Sequence, residues 1–345
     1  MTGKHTNLNV YYSRIRKSRM ILIGFILLLF VVFVCSLSAG YSQMNIFDVL
    51  RILSGNGEDR ETLILFSFRL PRICVAMLAG TGLALSGCIL QDVTGNELAE
   101  PGLLGINAGA GVSVILYTLL FRTGSFLSVF IMPFCALIGG CGAAVLIYVL
   151  SKSRKGLSNS RLILTGLAVE AGLSALTTLL VVRLDDRQYQ AVQTWQAGSI
   201  WAGNWNYVIA LLPWLLCIIP YVLSRSDAMD VLLLGDEAAA GLGVDISKEK
   251  KSLLFASVAL AAASVALSGS IGFVGLIAPH LSKKLVGSKH VFLLPACALI
   301  GAVLVTSADA VARTIMQPEE IPAGIVVAII GTPYFLYLLM KERTA

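Results

Sequence analysis

The chain has 345 residues, 57% hydrophobic and only 13% charged, with a mean hydropathy of +0.82. These values exclude an ordinary water-soluble domain and belong to an integral membrane protein. The net charge of +6 would suit a nucleic-acid binder, but the basic residues follow membrane topology instead, so no nucleic acid is expected.

A span needs about 20 apolar residues, at about 1.5 Å of rise each, to cross about 30 Å of hydrocarbon. Ten stretches approach that length: 19–38, 72–91, 102–121, 126–150, 161–182, 205–223, 250–267, 271–286, 291–313 and 321–340. The eighth is short and carries Pro279 and His280. The expected fold is an all-α membrane protein of about ten helices: a basic tail over 1–18, then one ten-span membrane domain over 19–345. The first run lacks a small-residue cleavage site and reads as a retained span.

An even span count puts both termini on one side. With that side cytoplasmic, eight of the 26 Lys and Arg lie outside: Arg51, Arg60, Arg69, Arg72, Arg122, Arg183, Arg187 and Arg313. The rest lie inside, as the positive-inside rule requires. Glycine and alanine crowd the second, third and fourth spans (Ala79, Gly80, Gly82, Gly109, Gly139), which predicts close helix packing in lipid. The seven cysteines are scattered through apolar runs and read as small buried side chains, not as disulfides or ligands. Trp195, Trp201, Trp205 and Trp214, with Tyr189, Tyr207 and several glutamines, read as an aromatic belt on an outer-interface helix.

Few ionisable groups lie within spans. Asp309 and Arg313 are four apart, a natural helical ion pair. Glu170 sits well inside the fifth span with no cation near it in sequence. At that depth a carboxylate must face water, find a partner or take up a proton, and the residues leave these alternatives open. The chain has no GxxxxGK followed by Ser or Thr, so it holds no P-loop for ATP. It has no HExxH, and His5, His280 and His290 are not spaced as a metal set. No catalytic residue, metal ligand or cofactor is assigned to the chain. Ser113, between Val112 and Val114 after Gly111, is a weak match to an intramembrane serine nucleophile.

The longest polar break in the second half is Asp230–Val244, within a segment spanning 228–246. Leu232, Leu233 and Leu234 precede Gly235, Asp236 and Glu237; Ala238, Ala239 and Ala240 favour a helix that Gly241 and Gly243 stop. Two short helices at a glycine corner, with exposed apolar surface, predict a cytoplasmic docking knob between the sixth and seventh spans.

Several blocks now give a resemblance. Arg69-Leu-Pro-Arg72, GTGLALSGCILQ (80–91), NELAEPGLLGINAGAG (96–111), TWQAGSIWAGNW (194–205), GDEAAAGLGV (235–244), SGSIGFVGLIAPH (268–280), DAVAR (309–313) and EIPAGIVVAIIGTPYFLYLL (320–339) occur in order. With this set the chain resembles the permease subunits of bacterial ATP-binding-cassette importers for ferric siderophores, haem and vitamin B12. The resemblance implies a multi-pass subunit of the bacterial cytoplasmic membrane that pairs with a second permease, identical or related. Two cytoplasmic ATPase subunits, which carry ATP and Mg, would sit below it, and an extracytoplasmic binding protein above.

The same resemblance makes Leu234, Gly235, Asp236, Glu237, Ala238, Ala239, Gly241 and Gly243 the ATPase-coupling segment. It makes Arg69, Arg72 and Arg313 outward contacts for acidic residues of the binding protein, against a simpler reading of span-end snorkelling. Ser158, Asn159 and Ser160 match the inner gate, where they equally suit a helix cap; Glu170 is no hallmark of the family, and its place on a passage is expected from its depth in the span. Glu97 departs from the family, which has proline there. The cargo implied is a metal chelate, ferric siderophore first, with haem and cobalamin behind. An ion-coupled carrier and an intramembrane serine enzyme are the competing classes.

Overall fold

The structure is a computed structural model that describes residues 2–40, 44–121, 128–153, 156–157, 159–200, 204–317 and 319–342. The basic tail does not stand apart: α1 (Thr2–Ser38) runs unbroken from it through the first span. The sequence reading did not foresee α2 (Ile46–Leu53) and α3 (Asp59–Leu63). Val49 and Ile52 of α2 pack with Leu37, Leu65 and Ile73 against the end of α1. A π-helical stretch, Ile64–Arg69, runs without a break into α4 (Leu70–Thr94), and Pro71 follows directly after it.

A 3-10 turn (Pro101–Leu104) precedes α5 (Ile106–Leu120), followed by α6 (Ser128–Ser151) and α7 (Asn159–Val181). Strand pairing among the described residues is limited to Lys152–Ser153 against Gly156–Leu157. Then come α8 (Asp186–Gln196), α9 (Trp205–Ser224), α10 (Ser226–Leu232), α11 (Asp236–Gly241) and α12 (Ile246–Ser268), and finally α13 (Val274–Val286), α14 (His290–Ile315) and α15 (Ala323–Glu342).

All ten expected helices are present. Among the described residues, eight are long and apolar enough to cross a bilayer. The third and eighth expected spans are α5 and α13, of 15 and 13 residues, which reach only about 20 Å. Much of α13 is buried between its neighbours, so it need not match the bilayer thickness.

The hub is α4. Its small residues let three neighbours approach at backbone distance: Gly80 faces Gly301 of α14, Gly82 faces Ser264 of α12, and Gly87 faces Gly275 of α13. Apolar burial drives no helix association in lipid, so this close contact, with hydrogen bonds between helices, holds the bundle. Ser86 Oγ donates to the Ser257 carbonyl at 2.7 Å, and Ser257 Oγ donates back to the Ser86 carbonyl at 2.9 Å, locking α4 to α12.

Two corrections concern the belt and the cysteines. Trp195 is buried at 3% exposure and packs in the core; only Trp205 and Trp214 lie open, and Trp201 is outside the described residues. The helix that carries Trp195, α8, does begin as its sequence suggests, with a capping box between Asp185 and Gln188. Cys88 and Cys297 are buried, whereas Cys35 and Cys217 are exposed on the bundle surface.

Side-chain contacts define two ends of the bundle. At one, the end of α1 meets the start of α4 and the end of α14. At the other, Ser18 near the start of the first span bonds the Val286 carbonyl at the end of α13, and Lys284 lies over Tyr334 and Tyr337 of α15. The start of the first span and the end of α15 therefore share one end, and α10 and α11 lie there too.

Candidate functional site

At the first end, two arginines converge on one carboxylate and a third, Arg69, lies beside them. Asp309 is fully buried; Arg72 Nη2 reaches its Oδ1 at 2.9 Å, and Arg313 Nε reaches its Oδ2 at 3.0 Å. Arg72 Nη1 also bonds Glu320 at 2.6 Å. Arg313 continues inward, donating to Ser36 Oγ at 2.7 Å and to the Ala39 carbonyl at 3.1 Å. Arg69 donates to the Leu37 carbonyl. The helical pair Asp309–Arg313 is as the sequence predicts.

The outward aim of Arg69 and Arg313 is not. Arg69 is 6% exposed and Arg313 is 4% exposed, because α1 ends beside them and offers carbonyls that guanidinium groups satisfy. Arg72 keeps some solvent access, and Glu320, its outer partner, is half exposed. Of this cluster, the part open to solvent is thus the Arg72–Glu320 pair, mounted on a buried Asp309–Arg313 base.

The opposite end carries the knob. Two short helices, α10 and α11, meet at Gly235, whose φ of +97° is a conformation that other residues adopt only with strain. Met229 and Leu232 anchor α10 in the core. The knob is braced to the start of α12 by Lys250–Asp236 at 2.7 Å and Arg225–Glu249 at 3.1 Å. Leu233, Leu234 and Leu242 stand exposed on it at 44%, 65% and 65%. Gly235, Asp236, Glu237, Ala238, Gly241 and Gly243 are exposed as well. Ala239 is fully buried, the inward foot of α11, and so cannot be a surface contact. Twenty residues of α4 separate Arg72 from Asp92, beside which α10 sits. The two ends are therefore about 30 Å apart, the thickness of a bilayer core.

A family model for the FecCD transport family matches residues 14–341. The chain belongs to that family. It is 44% identical over 321 residues to the iron(3+)-hydroxamate import system permease protein FhuG of Bacillus subtilis (strain 168), covering 92% of this chain and 95% of the relative. It is 35% identical over 328 residues to the hemin transport system permease protein HmuU of Yersinia pestis, covering 94% of this chain and 96% of that one. A metal-chelate type ABC transporter solved in an inward-facing conformation superposes with a TM-score of 0.82 at 33% identity, over 94% of this chain and 99% of that one.

Among FecCD members this chain is thus a membrane permease with an importer's architecture. The residues expected along a passage are placed unevenly. Ser158 lies outside the described residues, and Asn159 and Ser160 open α7. Glu170 is partly exposed on α7, a helix with one open face: an added Cβ at Gly172 would meet nothing within 4 Å. Ser113 packs on Gly139 of α6, an ordinary small-residue contact.

Two constellations escaped the sequence reading. Glu100, before the 3-10 turn, accepts the backbone N–H of Phe273 at the start of α13. Phe273 has φ +66°, the sole left-handed non-glycine among the described residues, and its ring lies against Gly331 of α15. Burial pushes the Glu100 carboxyl up to about 7; the Phe273 N–H opposes the rise, and the nearby Glu170 charge adds to it. The second is a quartet of Asp92, His290, Asp230 and Lys283 beneath the knob, with Asp92 and His290 buried and the other two partly open. Its members are up to 198 positions apart in sequence, so no local pattern marks it.

Proposed function

We propose that the chain forms the membrane passage of an ATP-driven importer of ferric chelates in the bacterial cytoplasmic membrane, and that it is driven from its knob. The observation that carries this reading is the exposed leucine surface of α10 and α11 on a rigidly braced support, at the end opposite the arginines. Leu233, Leu234 and Leu242 on an otherwise polar protrusion suit a protein partner better than water. Gly235, Asp236, Glu237, Ala238, Gly241 and Gly243 would complete the contact with a cytoplasmic ATPase subunit, which supplies ATP and Mg; Ala239 holds the contact from behind. The exposed face of α7, with Gly172, Ser174 and Thr178 in place of a purely apolar stripe, fits a second permease subunit across a shared passage that Glu170, Ser158, Asn159 and Ser160 would line. The Arg72–Glu320 pair offers the binding protein a charged contact, with Arg69 and Arg313 holding it in position. Ferric hydroxamate is the leading cargo, because the 44% relative is a permease for that import.

The test is a double substitution, Leu234→Asp with Leu242→Asp, in the full chain co-expressed with the ATPase encoded beside it. Loss of ATPase co-purification with an unchanged melting temperature supports the reading. Undiminished co-purification refutes it.

A further inference from the structure

His290 opens α14 and is fully buried. Its Nε2 lies 2.7 Å from Asp92 Oδ2, at the end of α4. Its Nδ1 lies 2.6 Å from Asp230 Oδ1, on α10, and the same oxygen accepts the His290 backbone N–H at 2.9 Å. Lys283 of α13 closes the group, 3.3 Å from Asp92 Oδ1. A ring with an ionised carboxylate on each nitrogen bonds both only as a double donor, the imidazolium form. In that form the quartet holds two carboxylates and two cations, so its charges cancel, with Asp92 and His290 buried and Asp230 and Lys283 partly open.

Cys88 Sγ also approaches Asp92 and His290, and the three could in principle hold a metal ion. Lys283 argues against a cation there, since it already occupies Asp92 and would repel one. Both ring nitrogens are likewise engaged.

Position gives the quartet its meaning. Asp230 sits on α10, the helix that begins the knob, and its carboxylate caps the positive end of α14. Through one imidazole, α10 is tied to α14 and to the end of α4, the hub. We propose that His290 is a positioning residue that transmits displacement of the knob to α4 and α14, so that ATPase movement becomes movement of the spans. This rests on the importer reading above. A hydrogen-bonded strut between two carboxylates suits the task, because packed elements shift as bodies and pass on small displacements, whereas an apolar contact could slide.

The test uses the complete importer, with its ATPase and binding protein, in proteoliposomes, and measures ferric hydroxamate taken up per ATP hydrolysed. His290→Gln, which bonds only one carboxylate as a donor, keeps ATPase association and hydrolysis but lowers uptake per ATP by about tenfold, within the usual range for coupling between linked sites. Asp230→Asn does the same, and combining the two adds little, since both break one strut. Asp227→Asn, exposed on the same helix, leaves the ratio unchanged. Wild-type uptake per ATP in His290→Gln and Asp230→Asn overturns the proposal, as does a fall in uptake matched by hydrolysis and melting temperature, which marks a purely structural role. Absence of ATP-driven uptake by the wild type would instead overturn the importer reading itself.

Discussion

Replacing Asp309 by asparagine removes the one charge on which Arg72 and Arg313 converge. Asp309 is fully buried, with arginine nitrogens at 2.9 and 3.0 Å. Breaking a buried ion pair by removing one partner costs about 3–5 kcal/mol, because the other charge stays behind in a poor solvent. Here each arginine keeps a second partner: Arg313 retains Ser36 and Ala39, and Arg72 retains Glu320. The cost therefore falls at the low end, about 3 kcal/mol. Glu320→Gln removes a carboxylate whose side chain is 51% exposed, and costs below about 1 kcal/mol. Thermal melting of the two variants in detergent should separate them, with Asp309→Asn lower by roughly 5 °C and Glu320→Gln close to wild type. Equal melting of Asp309→Asn and wild type would refute the reasoning that the arginines are held from within.

Three further outcomes follow from the same contacts. The Glu100 carboxyl is raised to about 7 in the fold, so it binds more protons folded than unfolded, and stability falls as pH climbs from the ordinary carboxylate range to about 7. Relative to Glu100→Gln, the wild type should lose on the order of 3 kcal/mol across that window and stay level above it; parallel pH–melting curves contradict this. A side chain at Gly87 strikes the backbone of Gly275, so Gly87→Ala should cost about 1–3 kcal/mol, while Gly142→Ala, with nothing within 4 Å, should be harmless; melting and folded yield decide. Arg72→Glu, read by co-purification, should weaken capture of the binding protein while leaving ATPase association intact.

The sequence revealed the helices, because apolar runs bounded by charge carry their own length scale. It also revealed the knob, where alanines between glycines allow little else. It drew α5 and α13 longer than their 15 and 13 residues, since composition does not fix where a helix ends. The Asp309–Arg313 pair was legible at a spacing of four, but the Arg72 contact spans 237 positions and was not. Arg69 and Arg313 looked outward because they broke the charge bias; the carbonyls of α1 that turn them inward belong to a distant part of the chain. His290 and Asp92 were missed for the same reason. Glu100 lay in plain view in a quoted motif, but its partner is a strained backbone N–H that no side-chain pattern announces.

The account stands on the claim that this chain has no power source of its own and is worked through the α10–α11 surface. The most direct test is uptake of ferric hydroxamate into proteoliposomes that hold the permease, its binding protein and its ATPase, with all ion gradients collapsed. Uptake that requires hydrolysable ATP, and stops when the ATPase is omitted, is the predicted result. Uptake driven by a proton or sodium gradient without the ATPase would contradict it.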